Sequence, residues 1–294
     1  MNIIIHEDVK ELLNELNEIG EAYIFGGYIR DRYLGFMPSD VDIVTNIPIE
    51  KIESMYSLYE KAAKRVTVSG HTVFSFKLHR KEKIFVEIVS TNKELLMKPK
   101  EADYTINSLL HDGKQVIDQT NGIKDLENGI IKEVDINIIH HDLMERPYLW
   151  LKTLRLVSMT NFDVSSQTVE ALNEKKTCIQ GINPSIMQTE GYKILNGKNP
   201  FKAMKLLANM RYISDFYVSE QFHVKDVSLQ PHQKLCYYAL LSSKETINEF
   251  ISFFHLPNEI QQKFHELYES YHQEGYVPNR LRHQIKTIQK ELEK

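Results

Sequence analysis

The chain has 294 residues, 42% of them apolar and 26% charged, and a formal net charge of −4. That is the composition of an ordinary folded chain with room for about one to three domains, and its charge argues against non-specific coating of nucleic acid. The two distant cysteines, Cys178 and Cys236, offer neither a disulfide framework nor a zinc spacing. No apolar run reaches the ~18–20 residues of a transmembrane helix, and "MNIIIHEDVK" lacks a signal pattern, so the cytoplasm is the expected compartment.

Residues 8–20, DVKELLNELNEIG, repeat apolar side chains at Val9, Leu12, Leu13, Leu16 and Ile19, which predicts an amphipathic helix stopped at Gly20. AYIF (22–25) reads as a short buried strand, followed by Gly26-Gly27 and a helix of about two turns ending at Gly35. VDIV (41–44) is the next strand, closed by Asn46 and Pro48. IEKIESMYSLYEKAAK (49–64) predicts one long helix, and HTVFSFKLHR (71–80) with KIFVEIVST (83–91) predicts two antiparallel strands. Between Lys61 and Lys83, seven cations stand against Glu82 alone, although a solvated helix and hairpin edge is the simpler reading of such a run. From about Asp135 helical periodicity dominates, broken near Pro184, Pro200, Pro231, Pro257 and Pro278. The expectation is an α/β head followed by an all-helical remainder.

Asp40 and Asp42 interrupt a strand that otherwise reads as buried. Residues i and i+2 of a strand share a face, so both carboxylates project together while Val41, Ile43 and Val44 remain for the core. Two adjacent ionised carboxylates repel unless a cation sits between them, and hard oxygen ligands in an open cleft suit Mg²⁺, completed by substrate phosphates. This points to phosphoryl or nucleotidyl transfer on an NTP. Gly26-Gly27, between a strand and a helix, lets a backbone approach a phosphate closely, and Arg30 stands one turn on with a charged fork. A lone D-x-D or Gly-Gly is more often a plain turn or strand edge. The combination from Gly26 to Asp42 is far more specific.

IFGGYIRDRYLGFMPSDVDIVT (24–45) resembles the signature of the bacterial tRNA nucleotidyltransferase (CCA-adding enzyme) and poly(A) polymerase family. EADYTINSLLHDGKQVIDQTNGIKDLENGIIKEV (101–134) resembles its second motif, ERPYLWLKTLRLVSMTNFDVSSQTVEAL (145–172) its neck helix, and 183–210 the segment after it. The resemblance covers about residues 20–212. It implies a nucleotidyltransferase head with a small mixed or antiparallel sheet and helices (1–136), then an all-α neck (137–200) and helical body (201–294) with RNA-binding potential. The chain is shorter than typical members, which implies a reduced or missing tail.

The resemblance also implies template-independent addition of nucleotides from ATP or CTP to an RNA 3′ end, tRNA foremost, with Mg²⁺ held by Asp40 and Asp42. Gly26, Gly27 and Arg30 match the triphosphate cradle. Asp103 and Asn107 match the motif that faces the nucleotide sugar, while Glu101 and Ala102 replace the family's two arginines before it. In the neck the family reads the base with Glu-Asp-x-x-Arg. Here Glu145, Arg146, Pro147, Tyr148 and Leu149 stand there, so the aspartate has become Arg146 and the arginine Leu149, although Lys152 and Arg155 keep the cationic stripe. Losing the pairing groups implies altered base selectivity. An Asp142–Arg146 pair at i, i+4 is a weaker substitute. Two alternatives remain open: the same chemistry on a non-RNA acceptor, and a non-catalytic RNA-binding relative.

Four further features carry less. Glu87 alternates with Phe85 and Val89 and is expected near Asp40, as a third acid or as a structural group. His140-His141-Asp142 lacks the partner histidines of a metal phosphohydrolase. Gly70 is a candidate hinge over the nucleotide, and Trp150 is expected in the core. The charged helix from Asn279 is better read as a solvated face than as an RNA contact.

Overall fold

A computed structural model describes residues 3–38, 40–66, 71–79, 83–91, 102–215, 229–273 and 277–292. The chain divides into two compact units, Met1–Ile139 and His140–Lys294. Glu101, Gly70 and the connection expected at residues 80–82 lie outside the described residues.

The first unit opens with α1 (Glu7–Asn17), which buries Val9, Leu12, Leu13 and Leu16, the stripe read from the sequence. β1 (Ala22–Phe25), α2 (Gly27–Tyr33), β2 (Asp40–Thr45) and α3 (Ile49–Tyr56) follow. β3 (Glu60–Val66), β4 (Thr72–His79), β5 (Lys83–Ser90), β6 (Leu110–His111) and β7 (Val116–Ile117) complete a seven-stranded mixed sheet in the order β3-β4-β5-β2-β1-β6-β7. Every pairing in it is antiparallel except β2 with β5. A 3₁₀ turn (Thr105–Asn107) precedes β6, and α4 (Gly122–Asn128) follows β7. One sheet face is fully buried, with Ile24, Val41, Ile43, Phe76, Val86 and Ile88 all at 0% exposure. Tyr56 of α3 stacks on Phe76 at 4.7 Å between ring centroids.

The single helix expected over 49–64 does not form. α3 ends at Tyr56, and Glu60–Val66 becomes the edge strand β3. The Glu-Lys-Ala-Ala-Lys run favours a helix by intrinsic propensity, but β4 would otherwise leave its row of backbone donors and acceptors unpaired. The switch of geometry leaves a register shift between Glu60 and Ala63, with Lys61 at φ +57°. The strand's mainly exposed, lysine-bearing surface suits an edge.

From α5 (Ile136–Glu145) onward the chain is largely helical: α6 (Leu149–Thr160), α7 (Ser166–Glu174), α8 (Pro184–Leu195), α9 (Pro200–Asn209), α10 (Pro231–Leu241), α11 (Lys244–Phe253), α12 (Asn258–His272) and α13 (Asn279–Leu292). The proline breaks are helix starts. Pro184, Pro200 and Pro231 each occupy a first turn, where a missing N–H costs nothing. Trp150 is fully buried and meets Tyr212 edge-on at 5.5 Å, as core packing requires. At Gly191 a Cβ would sit 2.7 Å from Phe254 Cβ, so only glycine lets these two elements approach. Among the described residues no helix is long and apolar enough to cross a membrane.

Candidate active site

Phe25 ends β1, and the chain turns through Gly26 at φ +77°, ψ −133°, a conformation that side-chain-bearing residues avoid. The Gly26 N–H donates to the Leu109 carbonyl at 3.1 Å, tying this turn to the entry of β6. Gly27 opens α2.

Asp40 and Asp42 point to the sheet face opposite the buried one. Asp40 is exposed and Asp42 partly buried, while Val41 and Ile43 between and after them are in the core. In register, Asp42 stands between Phe25 of β1 and Glu87 of β5, and Asp40 stands beside Phe85. This resolves why a core strand carries acids: its two faces have different solvents. Glu87 is beside Asp42 directly, one position further along the strand face than Asp40, where it was expected. Its carboxylate is taken by Arg65 of β3. Lys64 meets Glu50 at 3.3 Å and Glu53 at 3.2 Å, and Lys77 meets Glu60 at 3.4 Å, so these three cations of the basic run lie beside acids.

The second motif reaches the same place by long-range bonds. Arg30 is 6% exposed. Its Nε donates to Asp31 Oδ1 at 2.8 Å, Nη2 lies 2.7 Å from the same oxygen, and Nη1 donates to Asn107 Oδ1. Asn107 Nδ2 in turn donates to Asp103 Oδ1 at 3.0 Å, and the Tyr104 N–H donates to that same oxygen at 2.7 Å. The Asp103 carbonyl accepts from the Val134 N–H, and the Thr105 N–H donates to the Lys132 carbonyl.

Behind this segment stands a brace that the sequence reading missed. Thr105 Oγ1 donates to Asp125 Oδ2 at 2.7 Å, and Ser108 bonds Thr120 through their hydroxyls. Asp118 accepts from the N–H groups of Thr120, Gly122 and Ile123, fixing the start of α4. A Cβ at Gly122 would lie 2.2 Å from the Thr105 carbonyl oxygen. The signal was present in DQTNG, an aspartate followed by an Asn-Gly turn, which is an Asx-type turn pattern.

The expected base-facing positions belong to the second unit. Glu145 is exposed at the end of α5, and Arg146 pairs with Asp142, which is 5% exposed. Leu149 is buried at 3%. Lys152 and Arg155 lie one turn apart on α6, both partly buried. Arg155 Nε is 2.9 Å from Glu190 Oε2, an ion pair whose angle falls short of a linear hydrogen bond, and Lys193 meets the other Glu190 oxygen at 2.6 Å. His140 lies 3.8 Å from Glu174, and His141 lies 3.6 Å from Asp142.

The donor chemistry of Asp40 and Asp42 fits magnesium, which binds through one or two carboxylates and takes its other oxygens from water and phosphates. Among the described residues no group of three or more His, Cys, Asp or Glu could hold a metal alone. Substrate oxygens would therefore complete the shell.

Residues 22–132 match the family model of the poly A polymerase head domain. A CCA-adding enzyme of Ligilactobacillus salivarius (strain UCC118) is 30% identical over 210 residues, covering 66% of this chain and 50% of that protein. Poly(A) polymerase I of Salmonella typhi is 25% identical over 226 residues, covering 69% and 48%. The chain therefore spans about half the length of these curated relatives. The Bacillus stearothermophilus CCA-adding enzyme, solved in complex with CTP, shares the fold with a TM-score of 0.71 at 17% identity, over 98% of this chain and 79% of that one. Residues 22–132 thus belong to the poly A polymerase head-domain family, and the chain is similar to CCA-adding enzymes and poly(A) polymerases.

Proposed function

We propose that the chain is a magnesium-dependent nucleotidyltransferase that adds nucleotides from an NTP to an RNA 3′ end, tRNA foremost. The observation that carries this reading is the shared, solvent-facing placement of Asp40 and Asp42 beside the Gly26–Gly27 turn. In the reaction the 3′ hydroxyl of the acceptor gives up its proton to solvent as its oxygen bonds to the α-phosphorus, the bond to the bridging oxygen breaks, and pyrophosphate leaves. Asp40 and Asp42 hold the magnesium, which when bound polarises the α-phosphate and the attacking hydroxyl. Gly26 and Gly27 give the triphosphate a side-chain-free approach. Asp103 faces the sugar, held by Asn107 and Arg30.

Residues 1–136 act as the head in this proposal, 137–200 as the neck and 201–294 as the body. Lys152 and Arg155 supply positive charge on the neck. With Leu149 buried and Arg146 bonded to Asp142, the neck lacks the hydrogen-bonding pair that would penalise a wrong base, so selectivity among NTPs is relaxed. Incubation of the purified chain with each labelled NTP, Mg²⁺ and bulk tRNA tests this. Labelled tRNA that disappears in Asp40→Ala with Asp42→Ala is the expected result. Label on another acceptor, or tRNA retention with no transfer, overturns it.

A further inference from the structure

We infer that the strip of sheet leading away from Asp40, Phe85 with Lys77 and Lys83 beside it, seats the 3′-terminal nucleotide of the RNA acceptor. The inference deepens the nucleotidyl-transfer reading and rests on it.

Strand order decides on which side of the acids the acceptor lies. β2, which carries Asp40 and Asp42, stands between β1 and β5. The Gly26–Gly27 turn follows β1, so a triphosphate on that turn lies to the β1 side. In displacement at phosphorus the attacking and leaving oxygens are roughly in line. Pyrophosphate that departs toward the glycines therefore calls for a hydroxyl that arrives from the β5 side.

The register names the residues on that side. Asp40 is opposite Phe85 of β5, and Phe85 is opposite Lys77 of β4. Directly opposed residues share a face, so the three line up across the solvent side of the sheet. Neighbouring strands lie ~4.8 Å apart, which puts the Lys77 backbone two strand spacings, ~10 Å, from that of Asp40. Lys83 stands two residues before Phe85 on the same face and is exposed. The next row of the sheet is closed: Arg65 covers Glu87, and Ser75 beside Glu87 is 6% exposed. The strip that opens next to the acids thus runs through Phe85.

Phe85 is partly exposed, whereas Phe74 and Phe76 of β4 are buried. A ring with an open face between two lysines is the pattern of a single-strand site, where a base stacks on the ring and cations follow the backbone. Lys77 meets Glu60 at 3.4 Å, but Glu60 is 51% exposed, and so exposed a pair is weak enough to be exchanged for a phosphate. Glu60 keeps His79, at 2.8 Å, when Lys77 leaves it. Among the described residues no acid pairs with Lys83. Phe85 takes the terminal base, and Lys77 and Lys83 take the phosphates on its 5′ side. Every base has a π-face, so this seat holds an RNA end without reading its sequence.

The test is steady-state transfer from labelled ATP to bulk tRNA with Mg²⁺ by the purified full chain, with KM taken separately for each substrate. Phe85→Leu should raise KM for tRNA about tenfold and leave KM for ATP within about twofold, while Phe85→Tyr, which keeps the ring, stays near wild type. Lys77→Gln with Lys83→Gln should raise KM for tRNA and shrink the slope of log KM against log salt by about 0.7 per lysine. Thermal melting establishes that each variant is folded. Both lysines lie at the surface, so their double variant carries the comparison where Phe85→Leu does not fold.

A KM for tRNA that stays at the wild-type value in these variants overturns the inference. So does a rise in KM for ATP that matches the rise for tRNA, because the strip then lies under the incoming nucleotide. Equal losses in Phe85→Leu and Phe85→Tyr would mark a packing role and overturn it as well. A wild-type chain that labels no tRNA overturns the transferase reading itself, and the inference with it.

Discussion

Asp42 and Glu87 lie side by side on the parallel strands β2 and β5, and Arg65 of the edge strand holds the Glu87 carboxylate. Arg65 therefore neutralises the acid next to the proposed metal ligand. The pair is substantially exposed, so Arg65→Ala should change stability by no more than about 1 kcal/mol. It should nevertheless leave an extra negative charge beside Asp42 and lower the magnesium concentration for half-maximal transfer several-fold. An unchanged magnesium titration would show that Arg65 does not influence the site.

Asp42→Asn should abolish transfer without lowering the melting temperature. The carboxylate occupies the solvent-facing side of β2, and its removal relieves repulsion from Asp40 and Glu87. A clear fall in melting temperature would mean that Asp42 holds the sheet rather than a metal.

Gly122→Ala should destabilise the first unit by about 3 kcal/mol or more, because its Cβ would overlap the Thr105 backbone carbonyl at 2.2 Å. Thr105→Val, which loses only the hydroxyl bonded to Asp125, should cost about 1–2 kcal/mol. Chemical denaturation of the two variants gives both values. Equal effects would show that the α4 brace does not depend on the close approach.

Restoring the family's neck residues with Arg146→Asp and Leu149→Arg ought to sharpen discrimination among NTPs, at a price in stability that the structure makes visible. Leu149 is buried, so an arginine there needs a route to water or a new partner, and an aspartate at 146 would face Asp142 across one turn. Loss of about 3 kcal/mol or more is expected. Competition between labelled ATP and CTP reads the selectivity, and an unchanged ratio in a folded double variant would place base reading elsewhere.

Burial pushes the His111 imidazole below its ordinary 6.5, with Asp112 working in the opposite direction. Its Nδ1 accepts from the Gly113 N–H, which requires a neutral ring with the proton on Nε2. The unfolded chain takes up a proton there as pH falls below about 6.5 while the folded chain does not, so stability is full above that value and declines toward the lower folded pKa. His232 in the second unit is shifted the same way by burial. His111→Gln should therefore reduce, without removing, the loss of melting temperature between about pH 7.5 and 5.5.

The acid pair, the glycine turn and the breaks near Pro184, Pro200 and Pro231 were legible because each is a local statement. Strand alternation places Asp40 with Asp42, a positive φ demands glycine, and a first-turn proline fits only a helix start. The fate of 49–64 was not legible. Its intrinsic preference is helical, and only the open edge of β4 turns its second half into a strand.

The order of the residues along the chain determined which groups exist and which neighbours share a face: two carboxylates on β2, two glycines after β1, and Arg146 and Leu149 where the resemblance leads one to expect an aspartate and an arginine. The tertiary structure decided what those groups are free to do. Arg30 and Asn107 are far apart in sequence, as are Arg65 and Glu87, yet both pairs are bonded. Local pattern reports a side chain's direction, but its occupancy by a partner depends on contacts between distant segments, and those form only when the sheet brings its strands together.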